Sequence, residues 1–221
     1  MAERIGMHAS ATAGINRRPP RLVLIAGTTG VGKSTVSVET AQRLGFSRII
    51  STDAIREVMR ATDPEHRIPR LHRSSFASGE SGDPILDWKD SCSVVEAGID
   101  ATISRARREG IDLLVEGVHL MPDNRWLEEW RESGGLAIGF IMKIDIEEQH
   151  LSMLKERDSN SWRRADRYIA AFDRIRSIQK GLLDLSVMKG WDTMDPSQVA
   201  DPVDRIEHWL DLQWNETRGF R

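Results

Sequence analysis

A run of glycines followed by lysine and serine stands near the start of the chain, directly after the apolar residues 22–26. It consists of Gly27, Thr28, Thr29, Gly30, Val31, Gly32, Lys33, Ser34 and Thr35, and it fits the pattern Gly-x-x-x-x-Gly-Lys-Ser/Thr. Glycine has no Cβ, so the backbone here can turn its N–H groups inward on an anion. Lys33 offers a positive charge to the β- and γ-phosphates, and the Ser34 hydroxyl offers a ligand to Mg²⁺. All nine residues are therefore predicted to bind ATP, with Lys33 also acting in catalysis.

An aspartate follows the next strand-like segment, residues 48–51. At the end of a strand beside the phosphate loop, Asp53 could accept a proton from an attacking hydroxyl or hold Mg²⁺. Alternatively, Asp53 caps a helix that begins at Ala54. Arg56 stands where a capping box would have Glu or Gln, and a cation in the first turn opposes the helix dipole. This favours a functional Asp53 and an anionic ligand at Arg56.

A second acid, Glu116, ends the apolar segment 111–116, and His119 follows it. A carboxylate leaving a buried strand next to the phosphate loop can ligate Mg²⁺ or orient a substrate hydroxyl. We therefore predict a metal site of Ser34, Asp53 and Glu116. His119 is explained equally well as a structural hydrogen-bonding group or as a substrate ligand. The histidines and the single cysteine do not have the spacing of a zinc site.

Several arginines cluster in a helical segment that is interrupted near residues 158–161; they are Arg157, Arg163, Arg164 and Arg167. Guanidinium groups bind phosphate oxygens bidentately, so these arginines suit a lid over residues 155–168, with Arg157 and Arg164 as catalytic charges. The alternative is a solvated charged face paired with nearby acids. For any one arginine, the lid and the solvated face are equally good explanations. The four arginines taken together favour a lid.

Strand-like and helical segments alternate along the chain. Strands are predicted at 22–26, 48–51, 111–116, 136–144 and 191–194, and helices at 54–60, 85–108 and 199–212 among others. Residues 61–84 form a long loop, which is usually functional or mobile. The pattern predicts an α/β fold with about five parallel strands, helices on both faces, and ligands at the carboxyl ends of the strands. We expect a flexible leader (1–20) and a single domain (21–221).

Composition limits the classes of partner. The chain has 221 residues, a net charge of −3 and one cysteine. No basic excess favours nucleic acid, and no apolar run approaches the roughly 20 residues of a membrane span. We expect a cytoplasmic monomer or homodimer that binds a small anionic substrate and neither nucleic acid nor membrane.

Five segments together resemble the 2-phosphoglycerate kinase family of P-loop kinases over most of residues 21–195: GTTGVGKST, ISTDAIREVMR, LHRSSF, VEGVHLMP and RADRYIAAFDRIRSIQ. The resemblance implies transfer of phosphate from ATP to 2-phosphoglycerate, giving 2,3-bisphosphoglycerate. It also implies that the acceptor is bound by Asp53, Arg56, His72, Ser74, Ser75, Glu116, His119, Arg164 and Arg167. Arg56, His119 and the arginines would then form a positive cluster facing the acceptor.

Two alternatives remain open from the residues alone. One is a phosphotransferase of the zeta-toxin or antibiotic-modifying type on the same fold. The other is a nucleotide-dependent switch without transfer chemistry. A switch has no need of an arginine-rich substrate side, which this chain is predicted to have.

Overall fold

The structure, a computed structural model, describes residues 18–159 and 166–219. The strands are β1 (Arg21–Ala26), β2 (Ile49–Ser51), β3 (Leu113–Gly117), β4 (Leu136–Met142) and β5 (Asp192–Met194). The helices are α1 (Lys33–Leu44), α2 (Thr52–Ala61), α3 (Pro69–His72), α4 (Pro84–Glu109), α5 (Arg125–Glu132), α6 (Glu147–Ser159), α7 (Asp166–Ala170), α8 (Phe172–Lys189) and α9 (Pro202–Gly219). Most of the predicted leader and the middle of the predicted lid lie outside the described residues.

The strands form one parallel sheet in the order β2-β3-β1-β4-β5. β1 lies at the centre, and all six of its residues are buried. An apolar run without alternation is what a parallel strand covered on both faces requires. The predicted fold class is confirmed, and the sheet is the frame that brings the strand ends together.

Helices cover both faces of this sheet. Val23 and Ile25 of β1 pack into a core shared with α1 and α9, while Leu22 and Leu24 pack into a core shared with α4, α5 and α8. The last helix begins later than predicted because Asp201 Oδ1 accepts hydrogen bonds from the N–H groups of Val203 and Asp204, which makes Asp201 its cap. No helix in the described part of the chain is both long and apolar enough to cross a membrane.

The long segment between α2 and α4 is anchored by a buried carboxylate. Asp87, in the first turn of α4, accepts hydrogen bonds from Gly79 N (2.7 Å), Ser81 Oγ (2.8 Å) and Arg174 Nη2 (2.9 Å). Burial by itself would raise the pKa of Asp87, but these hydrogen bonds outweigh burial and lower the pKa to about 2. The segment is thus fixed to α4 and α8 at the edge of the sheet where ligands collect.

Replacing this anchor should destabilise the protein in a pH-dependent way. In Asp87→Asn, Arg174 loses its buried carboxylate, and the free energy of unfolding at neutral pH should fall by about 3 kcal/mol. Because the pKa of Asp87 is lower in the folded protein than in the unfolded chain, its stabilisation is complete above about pH 4 and is lost as the pH falls towards 2. Urea unfolding from pH 7 to pH 2 should therefore show the two proteins converging in acid. Asp90→Asn, on the exposed face of the same helix, is the control; a difference that stays constant down to pH 2 would contradict this explanation.

Candidate active site

The phosphate loop joins β1 to α1, and its glycines are required by its backbone. Gly27, Gly30 and Gly32 have φ of 155°, 89° and 85°. A Cβ at Gly27 would lie 2.5 Å from the carbonyl oxygen of Met142. Lys33 is buried at the start of α1, and its Nζ donates a hydrogen bond to Thr28 O at 2.7 Å. The loop thus has the shape and the cation of a phosphate-binding site.

Strand pairing brings an acid to this loop. β1 pairs with β3, so that Ile25 is in register with Glu116 and Ala26 with Gly117. Ser34 Oγ donates a hydrogen bond to Glu116 Oε1 at 3.0 Å. Glu116 is buried, 7% exposed. A small cavity, which we call the phosphate cavity, is lined by Lys33, Ser34, Asp53 and Glu116 together with Thr29, Ser51, Gly117 and Val118.

The residues predicted to bind metal share this cavity. A hydroxyl and two carboxylates are hard oxygen ligands of the kind that suit Mg²⁺. Within the described ranges, no group of three His, Cys, Asp or Glu side chains is arranged to hold a metal by itself. This donor set fits Mg²⁺ that is completed by phosphate oxygens and water, as is usual for this ion.

Asp53 projects into the space beside the loop. The alternative interpretation, that Asp53 caps α2, is wrong, because Ser51 is the cap and its Oγ accepts a hydrogen bond from Ala54 N at 3.1 Å. The Asp53 side chain is 63% exposed. It lines both the phosphate cavity and a larger neighbouring cavity. A carboxylate at the junction of two cavities can contact a ligand bound in either of them.

The larger cavity, which we call the acceptor cavity, has a volume of about 560 Å³. Five of the predicted substrate residues line it together: Asp53, Arg56, Ser74, Ser75 and Arg167. The others that line it are Thr29, Ser51, Ala54, Glu57, Phe76, Val118 and Tyr168. Its lining combines two guanidinium groups and two carboxylates with several hydroxyls and two aromatic rings, and the guanidinium groups can pair with the anionic groups of a small polar ligand.

Tertiary contacts orient both guanidinium groups. Arg56 is half-buried, and its Nε donates to Leu71 O at 2.9 Å. Burial lowers the pKa of Arg56, but a guanidinium stays charged at neutral pH. Arg167 Nη2 donates to Ser74 Oγ at 3.3 Å, and its guanidinium lies over the rings of Phe76 and Tyr168, 5.3 and 4.9 Å from their centroids. Both positive charges are thereby held at the wall of the acceptor cavity.

His119 does not supply a third positive charge. Its side chain is fully buried, with Nδ1 3.2 Å from Thr52 Oγ1 and 3.7 Å from Asp53 Oδ1. Burial lowers the pKa of His119 to about 4, so the ring is neutral at neutral pH. The expectation that His119 adds charge to the cluster is therefore wrong. The buried ring instead lies against Thr52, next to Asp53.

The remaining predicted residues divide into two groups. His72 does not line the acceptor cavity; its Nε2 lies 3.2 Å from Asp63 Oδ2, and its ring stacks on His66. Arg163, Arg164 and the side chain of Arg157 lie outside the described part of the chain, so the lid and their roles remain predictions. Sequence reasoning did not assign Phe76 or Tyr168, although both stand in segments already noted, LHRSSF and RADRYIAAF.

No protein-family model matches the chain, but curated proteins do. A 2-phosphoglycerate kinase from Thermococcus kodakarensis is 36% identical over 200 residues, which are 87% of this chain and 67% of that protein. The protein of the same name from Methanopyrus kandleri is 32% identical over 203 residues, 88% of this chain and 62% of that one. A third, from Pyrococcus horikoshii, is 35% identical over 194 residues, 85% and 63% of the two chains. The chain thus spans about two thirds of the length of these relatives.

Solved structures agree on the fold. A protein from Chloroflexus aurantiacus assigned as a kinase matches with a TM-score of 0.51 at 16% identity, covering 92% of this chain and 99% of that one. Shikimate kinase from Bacteroides thetaiotaomicron matches with a TM-score of 0.50 at 14% identity, covering 86% and 98%. At such identities the likeness concerns architecture alone.

Proposed function

The chain belongs to the 2-phosphoglycerate kinase family of P-loop kinases, and from this premise we propose that it transfers the γ-phosphoryl group of ATP to a hydroxyl of a small anionic acceptor. We propose 2-phosphoglycerate as that acceptor and 2,3-bisphosphoglycerate as the product. The observation that carries the proposal is the position of Asp53 at the junction of the phosphate cavity and a cavity walled by two arginines.

The phosphate side of the reaction rests on the loop and the end of β3. Backbone N–H groups from Gly27 to Thr35 and the Lys33 ammonium bind the phosphates. Ser34 and Glu116 would hold Mg²⁺, with Asp53 contacting it through a bound water so that its carboxylate can still accept a proton, and the ion would neutralise phosphate charge. Glu116 accepts a hydrogen bond from Ser34 Oγ, so the two oxygens lie close enough to share one ion.

The transfer step places Asp53 as the general base. The acceptor hydroxyl oxygen forms a bond to the γ-phosphorus, the bond from that phosphorus to the β–γ bridging oxygen breaks, and the hydroxyl proton passes to the Asp53 carboxylate. Lys33 stabilises the charge that develops on the transferred group. His119 lies 3.7 Å from Asp53 Oδ1 and, being neutral, does not neutralise the carboxylate.

The acceptor side rests on Arg56 and Arg167. 2-Phosphoglycerate carries a carboxylate and a phosphate, and each can pair with one guanidinium. Ser74 and Ser75 add hydroxyls along the same wall. Arg56 and Arg167 thus offer one partner to each anionic group of 2-phosphoglycerate, whereas a neutral sugar or a shikimate-like acceptor with one carboxylate would leave at least one guanidinium without such a partner.

An acceptor panel tests this proposal. Release of ADP is measured with 2-phosphoglycerate, 3-phosphoglycerate, glycerate, a nucleotide sugar and no acceptor, and the product is identified by ³¹P NMR. We expect 2-phosphoglycerate to give the highest kcat/KM and a second phosphomonoester signal. Preference for the nucleotide sugar would favour the toxin-like alternative, and hydrolysis that no acceptor stimulates would favour the switch; either result would overturn the proposal.

Loss of Arg56 should weaken one substrate only. In Arg56→Ala a charge-assisted hydrogen bond to the acceptor is removed, so the acceptor's KM should rise roughly 10- to 100-fold while the KM for ATP changes less than about threefold. Initial rates with each substrate varied in turn measure this split. The same affinity should decrease as salt screens the charges.

Arg60→Ala provides the matched control for this experiment. Arg60 lies one turn further along α2, pairs with Glu57 and does not line the acceptor cavity. Both KM values should stay near those of the unmodified protein. An Arg56→Ala protein with unchanged acceptor kinetics would show that Arg56 belongs to the scaffold and does not bind the acceptor.

A further inference from the structure

Helix α6 lies directly against the phosphate loop. His150, in the first turns of α6, is fully buried, and its Nε2 lies 2.8 Å from the carbonyl oxygen of Thr29. A Cβ at Gly30 would lie 2.5 Å from Leu154 Cδ2 and 3.2 Å from His150 Nε2. The tip of the loop and α6 are therefore in contact, with no room between them for a side chain at position 30.

The direction of this hydrogen bond follows from its partners. A carbonyl oxygen can only accept, so the proton must be on His150 Nε2. Burial lowers the pKa of His150, so the ring is neutral at neutral pH and has a single N–H. Nδ1 is buried and has no hydrogen-bond partner in the described part of the chain. An unprotonated nitrogen is the less costly one to leave unpaired, because orphaned buried donors are the rarer case.

This bond fixes the orientation of a peptide group in the loop. In a planar trans peptide the C=O and the N–H point in opposite directions. With Thr29 O held towards α6, the N–H of Gly30 must point away from α6, and Thr29 itself lines the phosphate cavity. After this peptide the chain continues with φ of 89° at Gly30, a conformation that glycine adopts readily because it has no Cβ.

We propose that His150 is a positioning residue that orients the Gly30 amide to donate a hydrogen bond to a nucleotide phosphate. The inference rests on the proposed use of the loop for ATP. It extends the nucleotide site to a helix that no glycine-rich pattern includes. On this proposal the geometry of the loop also depends on the position of α6, because His150 lies in the first turns of that helix.

Two variants and a control test the proposal by isothermal titration with MgATP. His150→Phe keeps a ring but removes the hydrogen-bond donor. Its affinity for MgATP should fall roughly tenfold, because the hydrogen bond that orients the Thr29–Gly30 peptide is lost. His150→Gln keeps an amide N–H at a similar reach and should bind within about threefold of the unmodified protein. Ser186→Ala removes another buried side-chain-to-backbone bond, to Leu183 O in α8, and should leave the affinity unchanged. Unchanged MgATP affinity in a folded His150→Phe protein would overturn the proposal.

A measurement on the unmodified protein covers the case in which His150→Phe does not fold. With ¹⁵N-labelled protein, NMR reports which imidazole nitrogen of His150 carries the proton and whether the Gly30 amide shifts on addition of MgATP. An Nε2–H ring and a shifted Gly30 amide support the inference, and an Nδ1–H ring overturns it. If the unmodified protein binds no MgATP, the proposed function itself fails; if it binds and His150→Phe binds equally, only the positioning role fails.

Discussion

Lys33→Ala should reduce turnover by about 10²- to 10³-fold or more while the protein remains folded. The loop amides would still contact phosphate, but the charge that develops on the transferring group would lose its nearest cation. In the structure the Lys33 ammonium donates to Thr28 O at 2.7 Å, so it is already held inside the loop. Single-turnover measurements at saturating MgATP isolate this loss from weaker nucleotide binding, and circular dichroism confirms the fold.

Lys143→Ala is the control for a change of charge. Lys143 follows β4, pairs with Asp145 at 2.8 Å, and lines neither the phosphate cavity nor the acceptor cavity. Its removal should leave turnover within about twofold. Near-normal turnover in folded Lys33→Ala would contradict the assignment of the loop itself, because Lys33 is the cation of the loop that the proposal places at the γ-phosphoryl group.

Asp53→Asn is expected to lower kcat by roughly 10²- to 10⁴-fold. The substitution keeps the shape of the side chain and removes the proton acceptor. Since Ser51 caps α2 and the Asp53 side chain is largely exposed, the free energy of unfolding should hardly change. A drop in kcat without a drop in the melting temperature is the signature to measure.

Glu57→Gln is the matched control for Asp53→Asn. Glu57 is the other carboxylate of α2 that lines the acceptor cavity, and it does not line the phosphate cavity. If kcat falls to the same extent in both variants, negative charge in the cavity matters and a specific base does not. If the Asp53 variant loses stability and keeps its kcat, the carboxylate is structural and the base must be sought elsewhere.

Much of this protein can be predicted from local sequence. The glycines of the loop are specified by a backbone that must take positive φ, which is a property of a few consecutive residues. The strands β1 and β3 are apolar except for Arg21 and Glu116, and β4 has no polar side chain; such runs favour a buried parallel sheet. The residues that lie at the carboxyl ends of β1, β2 and β3, including Lys33, Asp53 and Glu116, follow from that fold.

The predictions fail where burial and partners decide a residue's role. His119 follows a strand and was a candidate ligand, but its side chain is fully buried against Thr52, and burial keeps it neutral. His72 lies in the same short segment as Ser74 and Ser75, yet it turns to Asp63 while the two serines line the acceptor cavity. Neighbours in sequence can thus face different environments, and a protonation state depends on those environments.

The sequence by itself determined the phosphate loop, the fold class and the two acids at the ends of β2 and β3. Only the tertiary structure decided the strand order, which places β3 beside β1 and so brings Glu116 to Ser34, and the contact of His150 with Thr29, 121 residues apart in the chain. The physical reason is range. Propensity, periodicity and the chemistry of a loop are set by residues a few positions apart, whereas the pairing of strands and the seating of helices depend on how the whole core packs at once.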